Sequence, residues 1–224
     1  MPVNSVVVIA DDHPLFRDAM KQAIEGLIED CEILTAGDIE SLRSTLKEKG
    51  SADLVMLDLS MPGSSGFSSL VLMRAEFPDT PVLVVSATED PATIRKCLDL
   101  GASGFIPKSA STEFIVNGIN AVQAGEIWVP PHIDLDAEVD EETADLMQKL
   151  QSLTPQQTRV LSMLGEGLLN KQIAYELGVS EATVKAHVSA VLLKLKVDSR
   201  TQAVIIMNKI ASEIPGDHPA NPAT

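Results

Sequence analysis

Four short apolar runs in the first half of the chain each lead directly into polar residues. Such runs, rich in β-branched and aliphatic residues and bounded by turn residues, are typical of buried parallel strands. Ligands of an open parallel sheet bind beyond the carboxyl ends of its strands, so we expect the polar residues to meet there. The runs are residues 5–10, 54–57, 82–85 and 104–106, and they lead into Asp11-Asp12, Asp58, Ser86 and Pro107-Lys108.

The chemistry of these polar residues predicts a site that accepts a phosphoryl group. Clustered carboxylates repel one another and are tolerated mainly beside a hard cation. A site that offers only a few protein oxygens favours Mg²⁺, because this ion keeps several of its waters and bridges to phosphate. Beside that ion, an ionised Asp58 can act as a nucleophile on phosphorus. Lys108 would supply positive charge for the phosphoryl oxygens, and Ser86 a hydroxyl donor.

Helical patterns alternate with the strands of the first domain. We expect helices near residues 14–29, 39–48, 66–76, 91–100 and 112–124, and one further strand near 32–36. Five βα units predict an α/β fold, a doubly wound five-stranded parallel sheet with right-handed crossovers. Pro130-Pro131 stops regular structure, so we place the first domain at residues 1–129.

The two halves of the chain differ in charge. Of the 17 basic residues, eight lie at or after Lys149, whereas only six of the 32 acidic residues do. The formal net charge of −15 therefore resides in the first part of the chain, and a run of acids at 134–145 contributes to it. We interpret residues 130–147 as an acidic linker and the proline-containing residues 213–224 as a disordered tail.

Residues 148–212 predict a small all-α domain with a helix-turn-helix. Thr154 and Pro155 can begin one helix, and a turn with Gly178 and Ser180 separates a short helix from the next. The helix from Glu181 to Leu195 has an apolar stripe on one side. Its opposite face carries mostly small residues and lysines, which can enter the major groove of DNA without steric conflict.

The first domain resembles a response-regulator receiver domain, which has a flavodoxin-like fold. The resemblance covers residues 5–124 and rests on the polar residues above, on Met61-Pro-Gly and on Gly66. The opening Asp11-Asp12-His13-Pro14-Leu15-Phe16 is similar to that of the NarL/FixJ subfamily. The resemblance implies phosphotransfer from a sensor histidine kinase to Asp58, with Mg²⁺ held by Asp11, Asp12, Asp58 and the backbone carbonyl of Ser60. It also implies that Ser86 and Phe105 reorient on phosphorylation and that Lys108 binds the phosphoryl group.

The second domain resembles the LuxR-type helix-turn-helix over residues 150–208. The matching motifs are Leu153-Thr154-Pro155, Asn170-Lys171, Leu177-Gly178-Val179-Ser180 and Thr183-Val184-Lys185. The resemblance implies binding to double-stranded DNA, with Lys185, Ala186 and Ser189 in the groove and Lys171 and Thr183 on phosphates. The chain departs from the family at Ser189, Ala190 and Leu193, where basic or polar residues are common, so a single domain should bind DNA weakly.

The favoured function is a phosphorylation-controlled transcription regulator, not an enzyme, that forms a homodimer when phosphorylated. One alternative is a signalling adaptor whose helical domain binds protein. A less favoured alternative is a phosphohydrolase that works through an aspartyl phosphate. Such enzymes usually place nucleophile and acid two residues apart on one strand, whereas Asp58 is far from Asp11-Asp12 in sequence.

Two further expectations concern control and location. The charge asymmetry suggests that, before phosphorylation, the acidic first domain and residues 134–145 cover Lys185. No apolar run is long enough to cross a membrane, and the amino terminus lacks the pattern of a secretion signal. Cys31 and Cys97 have no metal-binding or redox spacing, as expected of reduced thiols in a cytoplasmic protein.

Overall fold

A computed structural model describes residues 5–25, 30–62, 66–131, 133 and 141–212. Its first domain contains a five-stranded sheet in the order β2-β1-β3-β4-β5, and every neighbouring pair is parallel. The predicted doubly wound α/β fold is therefore confirmed. The strands are β1 (Ser5–Ala10), β2 (Cys31–Ala36), β3 (Leu54–Asp58), β4 (Val82–Ser86) and β5 (Gly104–Pro107).

Five helices cover the two faces of this sheet. Strand side chains point alternately to either face, so the sheet divides the core into two apolar clusters. One cluster includes side chains of α2, α3 and α4, and the other includes side chains of α1 and α5. The helices are α1 (Pro14–Glu25), α2 (Ile39–Lys49), α3 (Ser68–Glu76), α4 (Pro91–Asp99) and α5 (Thr112–Gln123).

Capping side chains start several helices where the sequence predicts. Thr154 Oγ1 accepts a hydrogen bond from Gln157 N, and the Gln157 side chain accepts one from Thr154 N, which forms a capping box. Ser180 Oγ likewise accepts from Thr183 N at 3.1 Å. The helices of the second domain are α6 (Glu141–Gln151), α7 (Pro155–Gly165), α8 (Asn170–Leu177), α9 (Glu181–Leu195) and α10 (Arg200–Ser212).

Helix α6 extends across the predicted boundary at residue 147. The sequence predicted a linker up to residue 147, whereas the structure has 11 helical residues from Glu141. Leu146 and Leu150 are buried in a cluster that also contains Val191 and Leu195 of α9. This packing explains why the helix extends so far. The middle of the predicted linker, residues 134–140, and the predicted disordered tail, residues 213–224, lie outside the described residues.

The helical domain packs against the first domain through α3. The α3 sequence is apolar on most sides, and the residues from Ser68 to Met73 are all buried, as expected for a helix with partners on two sides. Glu76 is 6% exposed and lies 2.8 Å from Arg43 of α2 and 2.8 Å from Arg159 of α7. The Gln151 side chain also donates to the backbone carbonyl of Asp99. These contacts join the two domains.

Candidate functional site

The strand register brings the predicted polar residues together. Strands β1, β3, β4 and β5 are neighbours, and their carboxyl ends lie side by side: Ala10 pairs with Leu57, Asp58 with Val85, and Ser86 with Pro107. Asp11 and Asp58 are each only 1% exposed. The predicted acidic site at this edge of the sheet therefore exists as a cluster of side chains.

Lys108 lies between the two buried carboxylates. Its Nζ is 2.8 Å from Asp11 Oδ2 and 2.8 Å from Asp58 Oδ2. Burial alone would lower the pKa of Lys108, but hydrogen bonds to Asp11 and Asp58 outweigh it and raise that pKa above its ordinary value. The lysine therefore stays cationic beside Asp58. Its ammonium also lies 5.1 Å from the centre of the Phe16 ring.

Burial raises the pKa of Asp58, and the nearby Asp11 raises it further. Lys108 and the backbone amide of Ser60 act in the opposite direction, but the net pKa is above the ordinary value. The Ser60 amide donates to Asp58 Oδ1 at 3.2 Å, which places Ser60 next to Asp58. The ionised form of Asp58 is thus costly in this environment.

The donor set fits a hard divalent cation. Ligand atoms of Asp11, Asp12, His13 and Asp58 all lie within 4.8 Å of one another. Asp12 Oδ1 is buried and makes no hydrogen bond of good geometry with the described residues, although His13 Nδ1 lies 2.7 Å from it. Carboxylate oxygens in this arrangement suit Mg²⁺, and a buried oxygen without a hydrogen bond is available to a cation.

The sequence pattern assigns no role to His13, which the structure places beside Asp11 and Asp12. Its backbone amide donates to Asp11 Oδ1 at 2.7 Å, and its ring Nδ1 lies 3.1 Å from the same oxygen. The ring is 64% exposed. A histidine directly after the acidic pair was the available signal. Its contacts hold the carboxylate of Asp11 in place and orient it toward the cluster.

Ser86 and Phe105 are both buried. Ser86 is 3% exposed and its backbone carbonyl accepts from the Lys108 amide at 2.7 Å, while its hydroxyl accepts from the Thr88 amide at 3.4 Å. The Phe105 ring is fully buried in the cluster shared with α3 and α4. The two residues thus occupy adjacent strands, one at the site and one in the core.

The predicted DNA-facing residues of the second domain are exposed. They lie on α8 and α9, and Val184 and Val191 on the opposite side of α9 are fully buried. The Lys185 side chain is 65% exposed and pairs with Glu181 of the same helix at 3.3 Å. The exposed residues are Lys171, Thr183, Lys185, Ala186 and Ser189.

The expected covering of Lys185 is not found among the described residues. The first domain contacts α7 and α10 of the helical domain through α3, and Lys185 remains exposed. Arg159 of α7 contacts Glu76 of α3 at 2.8 Å, so the described contact between the domains lies at α7 and not at Lys185. Residues 134–140 of the acidic segment lie outside the described residues.

The surface of the helical domain also has exposed apolar side chains. Tyr175 is 86% exposed, Leu193 is 78% exposed and Leu169 is 66% exposed. Leu193 occupies one of the α9 positions at which the sequence already departs from the family. The low positive charge of this surface is therefore accompanied by apolar area.

Across the described residues, no helix is both long enough and apolar enough to span a bilayer.

Comparisons with known proteins identify both domains. Residues 7–120 match the family model of the response regulator receiver domain, and residues 151–207 match that of the bacterial regulatory proteins of the luxR family. The glycerol metabolism activator of Pseudomonas putida is 38% identical over 205 residues, which cover 89% of this chain and 93% of that protein. The nitrate/nitrite response regulator NarL of Escherichia coli strain K12 is 29% identical, over 90% of this chain and 94% of that protein.

A solved structure shows the same two-domain composition. The RcsB response regulator of Salmonella typhimurium, studied for its conformational dynamism in DNA interaction, is 25% identical. The match has a TM-score of 0.51 and covers 92% of this chain and 98% of that one. Together with the two family models and the geometry of the acidic site, it means that this chain belongs to the response-regulator family, with a receiver domain followed by a LuxR-type DNA-binding domain.

Proposed function

We propose that this protein is a transcription regulator of a two-component system whose Asp58 accepts a phosphoryl group from a sensor histidine kinase. The observation that carries this proposal is the placement of Asp58, buried at a strand end and held 2.8 Å from Lys108. A carboxylate so placed has a cation ready for the phosphoryl oxygens. The regulators of the family work on DNA inside the cell, so we place this protein in the cytoplasm.

The phosphotransfer step requires a short sequence of bond changes. An Asp58 oxygen attacks the phosphorus of the kinase phosphohistidine, a P–O bond forms, and the P–N bond breaks with its electron pair on the imidazole nitrogen. Asp11, Asp12, Asp58 and the backbone carbonyl of Ser60 would hold Mg²⁺, which would neutralise charge on the carboxylates and the phosphoryl oxygens. Lys108 binds the phosphoryl oxygens, and the Ser86 hydroxyl donates to one of them.

Labelling tests the acceptor directly. Acetyl phosphate with Mg²⁺ should label the wild-type protein with an acid-stable, base-labile phosphate, and Asp58→Asn should remove that label. Asp18→Asn is the matched control, because Asp18 is an exposed carboxylate on α1 and should not affect labelling. A full label on the Asp58→Asn variant would mean that another carboxylate is the acceptor.

DNA binding is proposed for the exposed face of α8 and α9. Lys185, Ala186 and Ser189 would enter the major groove, and Lys171 and Thr183 would contact phosphates. Because this face carries few charges, one domain provides a weak contact. A phosphorylated homodimer would place two such domains on a two-fold site, where the second contact forms at high effective concentration. Selection of bound sequences from random DNA, with and without phosphorylation, tests this part.

The adaptor function is the second candidate, and a specific observation favours it. Leu193, Tyr175 and Leu169 are exposed on the same small domain, and exposed apolar groups favour contact with protein. The two functions differ in salt dependence. Binding of the phosphorylated protein to random DNA and to heparin at low salt supports DNA binding, whereas no binding to either polyanion supports the adaptor.

A further inference from the structure

The segment after α5 is part of the receiver sheet. Trp128 forms a parallel bridge with Gly104 of β5. Its backbone carbonyl accepts from the Phe105 amide at 2.7 Å, and its backbone amide donates to the Ser103 carbonyl at 3.2 Å. The chain that leads toward the helical domain therefore pairs with the backbone of the residue that the proposed switch would move.

Two glycines make this pairing possible. A Cβ at Gly104 would lie 2.5 Å from the Trp128 carbonyl oxygen, a distance that real Cβ atoms do not show. A Cβ at Gly118 would lie 2.7 Å from both Cδ1 and Nε1 of the Trp128 indole. Gly118 lies in the middle of α5, where glycine weakens a helix. The close approach of the indole explains why glycine occupies this position in the helix.

The indole is packed on one side and lacks a partner on its polar edge. Its ring centroid is 5.0 Å from that of Phe114, and it packs against the apolar cluster of α1 and α5. The indole Nε1 is buried without a hydrogen-bond partner among the described residues. A buried donor without an acceptor is unfavourable. The indole of Trp128 can therefore leave this position at a lower cost in free energy than an indole whose N–H was hydrogen-bonded.

We propose that Trp128 is a positioning residue of the phosphorylation switch, which pairs the start of the interdomain linker with the backbone of Phe105. The Phe105 ring lies in the apolar cluster of α3 and α4, whereas the Trp128 indole packs against the cluster of α1 and α5. The backbone hydrogen bond between Phe105 and Trp128 therefore links the two residues. A change at Phe105 alters this pairing and thereby the start of the linker. The inference rests on the proposed function, because it requires that phosphorylation of Asp58 moves Phe105.

The pairing can be followed by fluorescence because Trp128 is the only tryptophan in the chain. Beryllofluoride with Mg²⁺, which mimics the phosphoryl group, should change the emission of the wild-type full-length protein. The Asp58→Asn variant should show no such change. Phosphoryl labelling of Asp58 together with unchanged emission would overturn the inference alone, whereas the absence of any labelling would overturn the proposed function and the inference with it.

A substitution at Gly118 tests whether the indole matters for control. Gly118→Ala should displace the indole, leave labelling by acetyl phosphate unchanged, and reduce the gain in DNA affinity on phosphorylation by about fivefold or more. Asn117→Ala is the matched control, since Asn117 is an exposed neighbour on the same helix. Trp128→Ala should reproduce the effect without adding volume to α5. A wild-type gain in affinity in both the Gly118→Ala and Trp128→Ala variants would overturn the proposal.

Discussion

Asp58 is a carboxylate that the fold keeps in an unfavourable environment. Burial raises its pKa above the ordinary value, and the approach of Asp11 adds to that effect. When the pKa of an acid is higher in the folded state than in the unfolded state, its favourable contribution to the free energy of unfolding is complete at a pH below the ordinary pKa. That contribution is lost as the pH rises through the raised value.

The upward shift of the Asp58 pKa predicts how the stability of an Asp58→Asn variant depends on pH. With a chelator present, the variant should have a higher free energy of unfolding than the wild type at neutral pH. The difference should shrink as the pH falls through the raised pKa of Asp58, because the wild-type carboxyl then becomes neutral. Urea unfolding at a series of pH values measures this. A variant less stable than the wild type at neutral pH would show that the ion pair with Lys108 outweighs burial.

The residues near Asp58, the proposed acceptor, predict a long-lived phosphoryl group. Hydrolysis needs a water molecule held in line with the phosphorus. The positions two residues beyond Asp58 and Ser86 are Ser60 and Thr88, and neither has a carboxylate or an amide to hold that water. Loss of label from purified protein should therefore be slow, and Ser60→Gln should accelerate it several-fold. Decay within seconds in the wild type would contradict the prediction.

At the scale of the elements, the proposed DNA contacts of α8 and α9 predict separate effects, one on overall affinity and one on base preference. Lys185→Ala should cost about 1–3 kcal/mol of binding free energy and relax the base preference at one position. Lys171→Ala should weaken binding evenly across sequences and reduce the salt dependence. Binding measured on a panel of single-base variants of the selected site distinguishes the two. Equal, sequence-independent losses would mean that Lys185 contacts only the DNA backbone.

Helices α3 and α7 form the other functional pair of elements, because their contact joins the domains. A double-mutant cycle of Glu76→Gln and Arg159→Ala should give an interaction free energy of about 0.5–3 kcal/mol in urea unfolding. Lys21 and Glu25, an exposed pair on α1 with a 3.7 Å separation, are the control, and that pair should give about 0.3–0.5 kcal/mol. Equal values for the two pairs would mean that burial of Glu76 adds nothing to the contact.

At the scale of the whole molecule, the charge distribution leads us to expect weak DNA binding by a single chain and a gain in affinity on dimerisation. The acidic receiver repels DNA, and the groove face of α9 has little charge with which to compensate. The logarithm of the binding constant should therefore fall only gently with the logarithm of salt concentration for a single chain. The slope should about double when phosphorylation pairs two chains on one site, since twice as many phosphates are neutralised. An unchanged slope would mean that one chain binds alone in both states.

The structure also changes the expected means of control. Lys185 is exposed while the two domains are in contact, so the described part of the receiver does not cover that lysine. Control through dimerisation agrees with this geometry. Neutralising the acids at 134–145 should therefore leave the resting DNA affinity unchanged, apart from the general effect of net charge. A large sequence-specific gain in affinity would restore the covering hypothesis.

The sequence by itself determined the sheet, its polar strand ends and the helix starts. Strand runs and caps such as Thr154 and Ser180 follow from local periodicity and short-range hydrogen bonds, and the parallel topology then fixes where Asp11, Asp58 and Lys108 meet. These features depend on near neighbours in the chain or on general rules of strand connection. For this reason they could be predicted without coordinates.

Only the tertiary structure decided how the domains meet and what lies beside the site. The two partners of Glu76 and the pairing of Trp128 with Phe105 join residues whose positions no local rule gives. Two signals were present in the sequence, the apolar circumference of α3 and the glycine in the middle of α5. Each indicates that a partner exists, but the identity of that partner depends on packing between distant segments.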